Sequence, residues 1–328
     1  MNNNYVSMTK QQGFTLVELM VALVLGLLIS AAAIQLFTGG LLSSRMQEAS
    51  AELQNSGVFG LDYIAKDIRL ANYANTTNPE LNEQTSWGGV VLTARTATVT
   101  TANIPIPAST PFVSNGLLSH SQGDTLSTVT NEWRGLSNVN LTSDQLTIQF
   151  ISPNAMINCE GANVQAGDYV IQRYFVSRDP ATATSGTDYG LACDANQPTA
   201  AGTTPVLPPT TINGFGDAGE IIIPRVDHFT VQLGVRNDLG NLAYYTINQY
   251  RTLATTERAA ARIPPRIISV KLGVLVRSID NTNNSAIDLT KQIPILNQNV
   301  TLNNTTTKFA RRVYTTNITL RNGLGEAL

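Results

Sequence analysis

Charge is what this sequence is short of. Of 328 residues only 13% are Asp, Glu, Lys or Arg, and 21 basic against 23 acidic residues leave a formal net charge of −2. No overall basic field is present to draw in a nucleic acid. Histidine is scarcer still. His120 and His228 are the two, far apart and with no cysteine cluster, so zinc-ligand spacing is missing. His228 follows Asp227 at the start of a strand pattern and reads as a hydrogen-bonded structural residue. No Gly-x-Ser-x-Gly elbow occurs, which leaves a hydrolase triad without an anchor. Gly214-Phe215-Gly216-Asp217-Ala218-Gly219 spells G-x-G-x-x-G, yet it follows a Pro/Thr loop and precedes the strand pattern Glu220–Ile223. Phosphate binding requires a strand before and a helix start after. Asp280–Asp288 offers oxygen ligands but lacks the turn Gly and closing Glu of a calcium loop. An enzyme, a cofactor and a bound metal are therefore not expected.

Cysteine is also rare. Cys159 and Cys193 are compatible with one disulfide in an oxidising compartment, worth roughly 3–4 kcal/mol in the chain-entropy account. Two buried free thiols are the alternative. Little charge with abundant Asn, Thr and Gly suits a β-rich extracytoplasmic protein.

What the chain does have is an N-terminal stretch, Gly13-Phe14-Thr15-Leu16-Val17-Glu18, leading into the apolar run Leu19–Leu36. At about 1.5 Å per residue that run covers most of a bilayer core of roughly 30 Å. Glu18 at its leading edge is out of place unless it has a purpose. An ordinary secretory signal, with Lys10, the apolar run and Ser30-Ala31-Ala32-Ala33, is one alternative, and a simple uncleaved anchor is another. Glu18 inside the apolar region counts against the first. Beyond Gly39-Gly40 the spacing stays helical through Leu42, Met46, Ala49, Leu53, Leu61, Ile64 and Ile68. One helix from Phe14 to about Ala71 follows, apolar all round at first and amphipathic later. The glycine pair marks a bend, a locally melted segment or a small-residue contact between helices.

Gly-Phe-Thr-Leu-Val-Glu-Leu from Gly13, followed by an apolar helix, resembles the N-terminal signal of type IV pilins and pseudopilins. The resemblance implies cleavage between Gly13 and Phe14 by a prepilin peptidase, N-methylation of Phe14, and pairing of Glu18 with a neighbouring subunit's N-terminal amine. It divides the chain into a leader at 1–13, a transmembrane or filament-core helix at 14–37, its amphipathic continuation at 38–72, and a β-rich globular domain at 73–328. Translation from Met8 instead of Met1 would leave a six-residue leader, Met8 to Gly13, a length at home in this family. Phe59–Tyr73, with Asp67-Ile68-Arg69 and a final Tyr73, is similar to the helix end of the PilW class of minor pilins. Arg311–Asn322, closing on Leu320-Arg321-Asn322, is similar to that class's terminal strand.

The function so implied is initiation of type IV pilus assembly in a Gram-negative bacterium, in a tip complex, serving twitching motility, adhesion and DNA uptake. Implied partners are the prepilin peptidase, other minor pilins and the major pilin, the inner-membrane assembly platform and a tip adhesin. Arg311, Arg312 and Arg321 read as paired surface charges or a subunit contact ahead of a DNA site. Three rivals remain: a GspJ-like pseudopilin of type II secretion, a membrane-anchored periplasmic enzyme or binding protein, and a tip adhesin or DNA-binding module in its own right.

The rest of the chain reads as strands and loops. Leu146, Ile148 and Phe150 alternate with Thr147 and Gln149; Phe229, Val231, Leu233 and Val235 alternate with polar neighbours. Ile268, Val270, Leu272, Val274 and Val276 form one face of another strand, and Tyr169–Val176 is apolar on both faces, as a central strand is. Val90–Leu92 and Thr96–Thr100 read as short strands within polar sequence, and Ala181–Gly190 and Gln197–Gly219 as connectors. Strands without intervening helices predict an antiparallel sheet. The expected fold is α+β and pilin-like, a long N-terminal helix packed on that sheet in an enlarged globular domain.

Overall fold

A computed structural model describes residues 13–73, 75, 80–106, 113–179, 188–282 and 284–320. Most of the leader, both start methionines, Lys10, most of the Ala181–Gly190 connector and Arg321-Asn322 lie outside the described residues. The chain forms two compact units, Met1–Glu48 and Ala49–Leu328.

Helix α1 spans Leu16–Gln54. Its large apolar side chains from Leu16 to Leu42 are all exposed, and it is apolar enough to cross a membrane. The few hydroxyls on this segment turn back onto the helix: Ser30 Oγ donates to the Gly26 carbonyl at 2.8 Å and Thr38 Oγ1 to that of Ile34 at 2.9 Å. Such bonding hides polar groups from an apolar surrounding. Gly39 and Gly40 stay helical, so the locally melted segment expected as one alternative is not present.

In the second unit, Ala49 and Leu53 at the end of α1 are buried. A π-helical turn, Asn55–Phe59, then leads into helix α2, Gly60–Leu70. Leu61, Ile64, Ala65 and Ile68, at helical spacing, form the buried face of α2. Asn72, at φ 68°, ends the helical path.

Among the described residues twelve strands follow: β1 Gln145–Ile151, β2 Met156–Ile157, β3 Asn163–Val164, β4 Tyr169–Arg178, β5 Tyr189–Ala195, β6 Glu220–Ile223, β7 Val226–Arg236, β8 Leu242–Tyr245, β9 Arg266–Asn281, β10 Ile293–Ile295, β11 Gln298–Val300 and β12 Phe309–Thr319. They build two antiparallel four-stranded sheets, ordered β1-β4-β5-β6 and β12-β9-β7-β8, plus two small hairpins. The inner faces of both sheets and the apolar face of α2 share one core. The expected sheet is thus two sheets facing a common interior.

Strand β4 is interior, and both its faces are covered. Val170, Tyr174 and Val176 join the main core, while Tyr169 and Ile171 pack in a second cluster with Val91, Ile104 and Leu118 from the loops outside. Those loops explain why Thr147 and Gln149 are buried although polar: Thr147 Oγ1 donates to the Leu117 carbonyl at 2.7 Å, and Gln149 Nε2 to that of Gly88 at 2.8 Å.

Four expectations need correction. Val90–Leu92 and Thr96–Thr100 are not strands; Val90 makes only an isolated bridge to Ile148, and the segment is loop draped on β1. A helix, α3 at Ile247–Ala259, interrupts the strand succession, held at its start by a reciprocal cap between Thr246 and Gln249. In β9 the buried residue is Ile267 rather than Ile268. Gly234 pairs with Ser269 but Val235 with Ile267, so Ile268 is the extra residue of a bulge. The strand also runs to Asn281, into the stretch expected as loop.

Candidate functional site

At the N-terminus Gly13 and Phe14 precede α1. Phe14 is 87% exposed, and a side chain added at Gly13 would meet nothing within 4 Å. Both residues are exposed. Thr15 and Glu18 start the helix by capping each other. Thr15 N–H and Oγ1 both donate to Glu18 Oε2 at 3.0 Å, and Glu18 N–H donates to Thr15 Oγ1 at 3.3 Å. This is a Thr-x-x-Glu capping box, which satisfies donors that a helix start otherwise leaves bare. Glu18 therefore has a local duty besides any pairing, and Thr15 is a participant that the sequence reading passed over. Its Thr-x-x-Glu spacing was the available signal. Downstream of the cap an apolar surface lies exposed on all sides. Water penalises such a surface, so it requires lipid or other apolar helices around it.

In the body, Cys159 and Cys193 are bonded, with Cα atoms 6.0 Å apart. Cys193 faces the core, so Asp194 points to the opposite face of β5. There Arg173, fully buried, donates from Nε to Asp194 Oδ2 at 2.5 Å and from Nη2 to the Asp217 carbonyl at 2.6 Å. Gly216 N–H donates to the same Asp194 oxygen at 2.9 Å. The G-x-G-x-x-G stretch is thus a loop built on β5. Gly219, at φ 65°, lies so close that an added Cβ would stand 2.4 Å from the Cys193 carbonyl oxygen. Half-buried Glu160, next to Cys159, completes a group with Asp194 and Asp217 whose carboxylate oxygens lie within 4.8 Å of one another. Desolvation, then the charges of Asp217 and Asp194, push its carboxyl up to about 7.

The remaining polar residues form structural networks. His120 Nε2 lies 2.6 Å from the Asn115 carbonyl and Nδ1 3.2 Å from Asp124 Oδ2, and its ring stacks on Trp133. His228 is wholly buried, with Nδ1 3.3 Å from Ser137 Oγ; burial pushes it down to about 4, so it is neutral. Arg311 donates to Asp227 Oδ2 at 2.6 Å, and Arg277 lies 3.3 Å from the other oxygen of that buried carboxylate. Arg311 is thus spent within the fold, and Arg312 stands over the Tyr314 ring at 5.6 Å.

Comparison with known families places two matches on the chain. Residues 8–34 match the prokaryotic N-terminal methylation motif, and residues 173–322 match the type IV pilus-assembly protein W (PilW) family. Among solved structures, a type IV-like pilin from Thermus thermophilus shares 13% identity over 56% of this chain and 81% of its own, at a TM-score of 0.27. No curated protein matches the chain.

Proposed function

We propose, from the premise that this chain is a type IV pilin most like the PilW class, that it is a minor pilin whose work is assembly rather than catalysis. Prepilin peptidase cuts between Gly13 and Phe14, and the freed Phe14 amine is methylated. Segment 14–37 holds the subunit in the inner membrane, with 38–72 continuing the helix and 73–328 forming the periplasmic body. The same segment later lies in the core of a pilus on the cell surface. Glu18 pairs there with a neighbour's N-terminal amine. Both Thr15 bonds fall on Oε2, so Oε1 is the oxygen offered. In the low dielectric of packed helices an unpaired charge is costly, and pairing therefore fixes register between subunits. The minor and major pilins, the assembly platform and a tip adhesin are its partners, and priming of the filament its role in twitching and adhesion. DNA uptake, where it occurs, passes through the pilus rather than through Arg311, which is already paired.

The observation that carries this reading is the exposed apolar helix opened by a capped carboxylate directly after Gly13-Phe14. Two substitutions separate the duties of Glu18. Glu18→Gln keeps a capping-box side chain but not the charge, whereas Glu18→Ala removes both. Both variants are expected to be processed and to be missing from sheared pili. Normal incorporation of Glu18→Gln would overturn the pairing role. Deleting the gene is expected to deplete surface pili and twitching; intact pili with lost exoprotein secretion would instead favour the type II pseudopilin.

A further inference from the structure

Glu160, Asp194 and Asp217 come from three distant parts of the chain, and the fold goes to some length to gather them. The Cys159–Cys193 disulfide sets Glu160 beside Asp194, their sequence neighbours being the bonded pair. The 214–219 loop brings Asp217 over β5, pinned by Gly216 N–H on Asp194 and by Arg173 on the Asp217 carbonyl. Three carboxylate oxygens then converge within 4.8 Å. With all three carboxylates ionised, as a bound cation would hold them, Arg173 offsets one charge and leaves two. A second observation is independent of the clustering. Asp194 is 0% exposed, its Oδ2 is engaged by Arg173 and Gly216, and its Oδ1 is buried with no hydrogen-bond partner. A buried carboxylate oxygen left bare costs free energy unless something positive meets it.

From this geometry we infer that Glu160, Asp194 and Asp217 bind a calcium ion, which ties the disulfide-linked segment 159–160 to β5 and to the 214–219 loop. All the ligands are hard oxygens, as calcium and magnesium prefer, with no imidazole or thiolate to favour zinc or copper. Calcium takes six to eight oxygens in irregular geometry. Here three carboxylates supply part of the shell, and exposed Asp217 leaves one side open for water. Magnesium demands a near-ideal octahedron and sheds its water reluctantly, so it fits this uneven trio less well. The residual charge of minus two is matched by one divalent ion. An affinity in the range of extracellular calcium modules, about 10⁻⁴–10⁻³ M, suits a protein outside the cytoplasm.

The test uses the full-length chain in detergent, stripped with EDTA. Thermal unfolding is followed with CaCl2, with MgCl2, and with NaCl at matched ionic strength. At 10 mM CaCl2 the midpoint is expected to rise by on the order of 5 °C, from saturation of a site tens of times above its dissociation constant. MgCl2 is expected to do clearly less and NaCl nothing. Asp217→Asn, at an exposed position that leaves the core untouched, is expected to abolish the rise. The control Asp238→Asn, on an exposed turn outside the cluster, is expected to keep it. Calorimetric titration should give one calcium per parent chain and none for Asp217→Asn. An absent calcium shift, an equal shift in all three salts, or an unchanged shift in Asp217→Asn would each overturn the assignment.

Discussion

Asp67 is placed to make stability of the body depend on pH. It lies on the buried face of α2, 6% exposed, and its Oδ2 accepts from Tyr174 Oη at 2.9 Å and Gln172 Nε2 at 3.4 Å. Desolvation outweighs the Tyr174 bond and the charge of Lys66, and pushes the carboxyl up from 3.8 to about 6. An acid with a raised folded-state pKa favours the fold while protonated. Its contribution is complete below about pH 4 and is lost as pH rises through 6. About two pKa units at 1.36 kcal/mol each give roughly 3 kcal/mol lost by pH 8. Asparagine imitates the protonated carboxyl at every pH, and its amide brings a donor beside Gln172, whose Oε1 is buried without a partner. Asp67→Asn is therefore expected to equal the parent at pH 4 and exceed it at pH 8 by up to roughly 3 kcal/mol, several degrees in Tm for a body of this size. Thermal unfolding in detergent at pH 4, 6 and 8 measures the difference, with emission from Trp87 and Trp133, both in the second unit, as the readout. The other titrating groups are common to both proteins and cancel. A variant no more stable at pH 8, or a gap of the same size at pH 4, refutes the reasoning.

Other perturbations probe how the helix and sheets are joined. Replacing both cysteines with serine opens a link across 34 residues and is expected to destabilise by roughly 3–4 kcal/mol, read from urea midpoints with the parent under reducing conditions as reference. At Gly60 an added Cβ would stand 2.3 Å from Ile223 Cγ1, so Gly60→Ala is expected to cost about 1–3 kcal/mol. Combining it with Ile223→Ala should give less than the sum of the two single effects; strict additivity would deny the contact. Arg311→Ala leaves Asp227 buried with Arg277 still beside it, so its loss should fall below the roughly 3–5 kcal/mol of a fully stranded buried charge. A larger loss in chemical denaturation would show that Arg277 does not share the load.

Local periodicity made much of this fold legible and stopped where long-range contacts take over. Strands β7 and β12, and most of β9, were visible because apolar and polar residues alternate along them, although β7 is buried on both faces, with Thr230 held by Asp144. The bulge at Ile268 was not, since both Ile267 and Ile268 are apolar and only pairing with β7 decides which turns inward. Helix α3 escaped because just Ile247, Tyr250 and Ala254 are buried on it, among threonines and charges that mask the period. Thr246-x-x-Gln249 was the signal that announced it. Val90–Leu92 has the look of a strand because it is buried, yet it is covered loop. At the candidate sites, Gly13, Phe14 and Glu18 are contiguous and could be read directly. Arg173, Asp194, Asp217 and Glu160 meet only through the disulfide and the sheet register, and no spacing in the sequence announces them.

The most direct test of the account is the mass and N-terminal residue of the chain purified from cells that carry its own peptidase. The expected product begins at Phe14, with a methyl group on the amine and residues 1–13 gone. A chain that keeps its leader, or one cut near Ser30–Ala33 as an ordinary secretory signal would be, contradicts it.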